Sequence, residues 1–226
     1  MSELIKVVVI GRLGFFPPAK LSLPARRLIA LLAISGGQLS RTAAADALWP
    51  DLPEESGRAN LRRSLWQTPR HWIEASDDQL AFDVECDLHQ ARRAAARAIE
   101  AAPVTFDEID LFASDVLPGW HEEWAIAAQE DFRVLRVQAL ECACRTLLSH
   151  GNFPLAIKAG SAAVAAEPLR ESASEALIDV HLAQHNRFEA IRCYRALAKH
   201  LNEDLGVDPM PGLTRKMEEA GLLRAA

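Results

Sequence analysis

The stretch that decides the reading of this chain is Glu54–Trp72, EESGRANLRRSLWQTPRHW. On a helical wheel of about 100° per residue, Leu65, Thr68 and Trp72 fall within about 40° of Leu61 and form one inward stripe. The opposite face carries Ser56, Ala59, Asn60, Arg63, Trp66, Gln67 and Arg70, flanked by Arg58 and Arg62. From Ser56 to Trp72 there are four arginines and no acidic residue. A helix anchored on one face and lined with Arg, Asn and Gln on the other suits DNA. Arginine pairs with phosphate or with guanine edges, and Asn and Gln pair with adenine. The plainer reading is a solvated surface helix, since charged outer faces are the default. The neighbouring segments decide between the two.

Upstream, Lys6–Ile10 (KVVVI) is β-branched and predicts a buried strand. Arg12–Phe16 continues it or starts a partner. Pro17-Pro18 forces a turn, and Lys20–Leu23 predicts a short return strand. Pro24 stands at a first helical position, and Ala25–Ser35 predicts a helix with Leu28, Ile29, Leu31 and Leu32 facing inward, stopped by Gly36-Gly37. Ser40 is an N-cap for a second helix, Arg41–Leu48, which Trp49-Pro50 ends. Downstream of Trp72, a polar turn at Ser76-Asp77-Asp78 separates Ile73–Ala75 from Gln79–Phe82, the pattern of a β-hairpin. Short strands, three helices and a closing hairpin predict a winged helix-turn-helix over residues 1–84. Residues 85–226 read differently, as alanine-rich helices.

The whole-chain charge of −6 divides unevenly. Residues 1–83 hold 10 Lys+Arg against 9 Asp+Glu, a net of +1, and residues 84–226 hold 15 against 22, a net of −7. Contact with nucleic acid therefore belongs to the first part. The opening MSELIKVVVIG has one lysine and a short apolar run, without the charged lead and long apolar region of a signal peptide. No apolar run reaches the length of a membrane span. A cytoplasmic protein without membrane attachment is expected. The four cysteines, Cys86, Cys142, Cys144 and Cys193, form no C-x-x-C, so reduced core thiols are expected rather than zinc ligands.

With these elements in place, LPARRLIALLAISGGQLSRTAAADALWPDLPEESGRANLRRSLWQ resembles the DNA-binding half of the SARP regulators, the Streptomyces antibiotic regulatory protein family. Ala47–Asp51 (ALWPD) and Glu55–Gln67 (ESGRANLRRSLWQ) carry the likeness most specifically. That half is similar to the winged helix of response regulators, whose third helix enters the major groove while the wing touches the backbone. Two departures stand out. Thr68-Pro69 replaces the family's usual Leu-Arg pair, and the proline predicts a helix end near Gln67. The wing turn carries acid where phosphate contact would favour base.

In the second part, Leu88–Ala101 predicts one helix, 102–117 a looser segment, and Glu122–Ser149 a long helix. Gly151-Asn152 and His185-Asn186 stand 34 residues apart, as do Ala156 and Ala190, Ile157 and Ile191, and Gly160 and Tyr194. That period is the tetratricopeptide signature of stacked helix pairs. Val116–Trp124, Glu167–Leu182 and Phe188–Leu213 resemble the bacterial transcriptional activator domain that follows the winged helix in SARP regulators, most specifically in Leu205–Pro209 (LGVDP).

The fold class expected is α+β followed by all-α. Neither a phosphate-binding loop nor a dinucleotide fingerprint is present, and no catalytic residue, cofactor or metal is expected. His181 and His185 have chelating spacing but no third ligand, so they read as helix-surface or turn histidines. Trp120 and Trp124 read as packing anchors. The DNA-binding residues expected are Arg63 and Gln67 on base edges with Asn60 beside them, and Arg58, Arg62 and Arg70 on phosphates. The resemblance implies a transcriptional activator that binds promoter direct repeats on double-stranded DNA as a head-to-tail homodimer and contacts RNA polymerase. The alternative is a protein-interaction adaptor whose winged helix has weakened or absent DNA binding.

Overall fold

The β-branched run near the start forms strand β1 (Lys6–Val8), as side chains that pack well on a pleated surface favour. The computed structural model of the protein describes residues 5–69 and 71–223. Strand β2 (Gly14–Phe16) follows. The return strand expected at Lys20–Leu23 does not form. Ser22 instead caps helix α1 (Leu23–Ile34), its Oγ accepting from the Ala25 N–H, and Pro24 sits in the first turn, where a missing donor goes unnoticed. Gly36 and Gly37, at φ +86° and +84°, turn the chain into β3 (Gln38–Ser40). Ser40 then caps α2 (Arg41–Leu48) by accepting from the Ala43 N–H. Helix α3 runs Glu54–Trp66 and closes at Gln67, two residues before Pro69. Strands β4 (Glu74–Ala75) and β5 (Gln79–Ala81) form the hairpin, and Glu85–Cys86 forms β6.

These strands make two small sheets. β1 lies between β2, antiparallel with Lys6 opposite Phe16, and β6, parallel with Val7 opposite Cys86. β5 lies between β4 and β3, with Leu80 opposite both Ala75 and Leu39. Neither β3 nor β6 is foreseen by the sequence, because each is too short to show an alternating pattern.

Helix α4 (Asp87–Ile99) begins with a buried carboxylate. Asp87 accepts from the N–H groups of Val9 (2.9 Å), Ile10 (3.0 Å) and Leu88 (2.9 Å), and so ties the end of β1 to the start of α4. The remaining helices are α5 (Phe106–Leu111), α6 (Glu123–Ser149), α7 (Phe153–Ala166), α8 (Glu171–Ala183), α9 (Arg187–Leu205) and α10 (Pro211–Glu219). The chain is thus mostly helical, with a small α/β part at its N-terminal end. It packs as two compact units, one holding the residues up to Ala91 with Ser114–Phe132, the other Arg92–Ala113 with the residues from Arg133 onward. The segment 114–117 joins the first unit through two backbone bonds, Gly11 N–H to Asp115 O (2.8 Å) and Leu117 N–H to Val9 O (2.7 Å).

In the second unit, α8 packs against both α7 and α9. The 34-residue spacing has local counterparts. Gly151 and His185 both take left-handed backbone, at φ +71° and +57°. Asn152 and Asn186 both cap the following helix with their side chains. Ala156 and Ala190 are both 0% exposed, which lets neighbouring helices approach closely. Gly160 and Tyr194 diverge. A Cβ at Gly160 would lie 3.0 Å from Cys144 Sγ and 3.1 Å from Leu177 Cδ1. Tyr194 instead packs with Ile178, Leu197 and Met217, its hydroxyl 2.9 Å from Thr214 Oγ1. His181 departs from the surface position expected of it. It is 6% exposed in α8, and burial pushes its pKa down, favouring the neutral ring.

All four cysteines are free thiols. Burial pushes Cys86 up to about 11 and Cys144 up to about 12. Since the thiolate is the nucleophile, iodoacetamide at about pH 8 should leave Cys86 and Cys144 unmodified in the folded protein and modify them in denaturant. Peptide mass spectrometry reads the difference, and equal labelling of Cys142 and Cys144 without denaturant would contradict this packing.

Candidate nucleic-acid interface

Helix α3 is held by a small-residue seam and one large anchor. Leu61 is 1% exposed, and the Gly57 Cβ position lies 3.7 Å from Ala45 Cβ on α2. The inward stripe continues past the helix end in a different form. Ser64 and Thr68 are buried with their hydroxyls satisfied, donating to Asn60 O and Ser64 O at 3.0 Å each. Trp72 lies beyond the helix and is wedged between Phe15 (ring centroids 5.8 Å apart) and Phe82 (6.4 Å). The wheel thus places Leu61, Thr68 and Trp72 inward as the structure does, although Thr68 and Trp72 do not belong to the helix, Leu65 is only half-buried, and the stripe leaves out the buried Gly57 and Ser64.

The outward face is polar and cationic. Arg58, Arg62, Arg63, Trp66 and Gln67 are exposed and Asn60 is partly so. Arg62 and Arg63 have no carboxylate partner among the described residues. Arg63 Nη1 donates to Asn60 Oδ1 at a long 3.5 Å, so the two side chains lie together. Arg58 is differently placed. Its Nη2 pairs with Glu54 Oε1 at 2.8 Å and reaches Thr42 Oγ1 at 3.3 Å. Both ends of the ion pair are more than half exposed, so water screens it and it yields readily to a competing phosphate. Gln67 caps the end of α3, and its Oε1 accepts from Ser22 Oγ. Its amide nitrogen is the group left to face a ligand. Arg70 lies outside the described residues.

Between the end of α3 and the hairpin runs an open cleft of about 370 Å³, bordered by Arg41, Arg62, Leu65, Trp66, Pro69 and Ile73 among others. Arg41 is the residue sequence reasoning missed. Its Nε donates to Ser76 O (2.7 Å) and its backbone N–H to Asp78 O (2.8 Å). These bonds fasten the hairpin turn to the start of α2 and place a second guanidinium across the cleft from Arg62. Nothing in the spacing of Arg41 and Ser76 signals this, because only the β3–β5 pairing brings them together. Trp66, 81% exposed, adds an apolar edge. Two guanidinium groups on apolar walls suit a sugar–phosphate backbone. Against this stand the exposed acids Glu54 and Glu55 in the first turn of α3, and Asp77 and Asp78 at the hairpin tip. Among the described residues, no group of three His, Cys, Asp or Glu side chains is placed to hold a metal ion, and no helix is long and apolar enough to cross a membrane.

Comparison with known proteins adds three findings. Residues 80–220 match the model of the bacterial transcriptional activator domain. The regulatory protein AfsR of Streptomyces coelicolor is 27% identical over 209 residues, which are 83% of this chain and 21% of that protein. The structure of Mycobacterium tuberculosis EmbR in complex with a low affinity phosphopeptide superimposes with a TM-score of 0.65 at 19% identity, over 96% of this chain and 64% of that one. The chain therefore spans 21% of the length of the curated relative it matches, and less than two thirds of the solved one.

Proposed function

The chain belongs to the SARP family of regulators that carry a bacterial transcriptional activator domain, and from that premise we propose that it is a sequence-specific DNA-binding transcriptional activator. In this reading residues 1–84 act as a winged helix-turn-helix. Residues 85–226 act as a tetratricopeptide-like activator domain that contacts RNA polymerase and supports head-to-tail homodimers on direct repeats. The observation that carries the reading is the outward face of α3, where Arg62 and Arg63 project without carboxylate partners among the described residues beside a cleft that Arg41 also lines. The net of −7 over residues 84–226 leaves that part for protein partners.

In the proposed docking, Arg63 and the amide nitrogen of Gln67 read base edges, with Asn60 orienting Arg63. Arg58, Arg62 and Arg70 hold phosphates, and Arg41 joins them from the far side of the cleft. Replacing Arg63 with alanine should weaken binding to the specific site by about 1–3 kcal/mol and relax its sequence preference. Arg62→Ala should weaken all sequences alike and flatten the salt dependence by about one unit of slope. Both are read by titrating specific and scrambled duplexes across a salt series. If both variants bind as the parent does, α3 is a solvated face, and the adaptor reading, which the acids at Glu54, Glu55, Asp77 and Asp78 would favour, takes its place.

A further inference from the structure

A second cleft lies within the first unit, away from the outward face of α3. It has a volume of about 800 Å³, inside the range of small-molecule sites (~300–1,000 Å³). Its borders are the end of α2 with the loop that follows, Asp46–Leu52, the side chain of Arg27 from α1, and His121–Trp124 at the start of α6. The walls are built rather than loose. Arg27 donates from Nη2 to Leu48 O (2.9 Å) and places Nε 2.9 Å from Glu122 Oε1. Gln129 Nε2 donates to Leu117 O (2.9 Å) and Trp120 O (3.2 Å), and Trp120 meets Trp124 edge to face at 5.7 Å.

The chemistry of the lining is one-sided. Arg27 is matched by Glu122, which leaves Asp46, Asp51 and Glu123 with no ion pair among the described residues. Two indoles, Trp49 and Trp124, line the same space. Carboxylates attract a cation by charge, and an indole face attracts it through its quadrupole, most strongly where water is partly excluded. A free carboxylate would be repelled by the three uncompensated acids, so the occupant is a cation without one.

We propose that this cleft binds a small organic cation of the alkylammonium class, with Trp49, Trp124, Asp46 and Asp51 as its principal contacts. The cation sits against the indoles between the carboxylates. The site is independent of the DNA-binding reading. Its loop runs directly into Glu54 at the start of α3, so an occupant would touch the segment that leads to that helix.

The test is calorimetric titration of the full chain with choline and with its neutral isostere 3,3-dimethylbutan-1-ol. Asp46→Asn/Asp51→Asn is the variant, since both residues are exposed and asparagine preserves their shape. Saturable one-to-one binding of choline is expected, with the neutral alcohol at least about tenfold weaker. The double variant should lose about tenfold in choline affinity while the isostere comparison in the parent stays as it was. No saturable choline binding by the parent, or equal binding of the neutral isostere, overturns the proposal. So does a folded double variant, verified by circular dichroism, that binds choline as the parent does.

Discussion

Gly37→Ala is expected to destabilise the N-terminal unit by about 4 kcal/mol, most of the stability of a domain at the low end of the ordinary range. Two costs combine. Gly37 sits at φ +84°, a left-handed conformation that costs an L-residue about 1–2 kcal/mol. A Cβ there would also lie 2.5 Å from the backbone oxygen of Phe82, inside any tolerable contact. Neither partner can step aside, because the Phe82 N–H donates to Gly37 O at 2.7 Å in the same crossing. Gly36 supplies the control, since it has φ +86° with nothing within 4 Å of its Cβ position. Gly36→Ala should therefore show the conformational cost alone, about 1 kcal/mol. Thermal unfolding followed by circular dichroism separates the two. Equal melting temperatures for both variants would show that the close approach of β3 and the end of β5 is not sustained. Because that crossing supports the hairpin and Arg41, Gly37→Ala should also weaken the DNA binding proposed for this unit.

Asp87→Ala is the second large effect, expected at about 3 kcal/mol, because it strands three backbone donors, two of them on fully buried residues. The carboxylate satisfies Val9, Ile10 and Leu88 at once, and alanine offers none of them an acceptor. The pH dependence follows from two opposed influences. Burial pushes the carboxyl above its ordinary value of 3.8, and the backbone donors pull it down by less. Its folded pKa is therefore raised, so the folded state holds the proton more tightly than the unfolded chain does. The stability linked to that proton is fully present below 3.8 and is lost as the pH rises through the folded value. The gap between parent and Asp87→Ala should accordingly narrow as the pH rises above 3.8. Chemical denaturation at a series of pH values measures it, and a gap that widens over that range would show the shift to run the other way.

Helices α1, α2, α3, α4 and α6 were legible from local signals, because caps, prolines and glycines act within a few residues of where they stand, whereas α5 and the bounds of α7 to α10 were not placed. Ser40 before Arg41, Pro24 in a first turn and Asn152 and Asn186 before their helices all do in the structure what their chemistry favours. The expected strand at Lys20–Leu23 failed for a local reason as well. Ser22 offers its hydroxyl to Ala25 N–H, and a residue able to cap a helix competes against the extended chain. The strands β3 and β6 were not legible, because a two- or three-residue strand is made by its partner rather than by its own pattern.

The outward face of α3 was readable in the same way. An amphipathic helix needs only its own 3.6-residue period to sort Leu61 inward and Arg62, Arg63 and Trp66 outward. What surrounds that face depends on residues distant in the chain. Arg41 reaches the cleft only through pairing of Gln38–Ser40 with Gln79–Ala81, Gln67 is held by Ser22, and Glu122 meets Arg27 across 95 residues. The amino-acid sequence by itself determined where several helices form and stop and which way α3 turns its arginines, since those are contests between neighbours along one chain. Only the tertiary structure decided which charges remain unmatched and which buried donors find acceptors. Long-range pairing and desolvation settle those matters, and neither leaves a mark in local spacing.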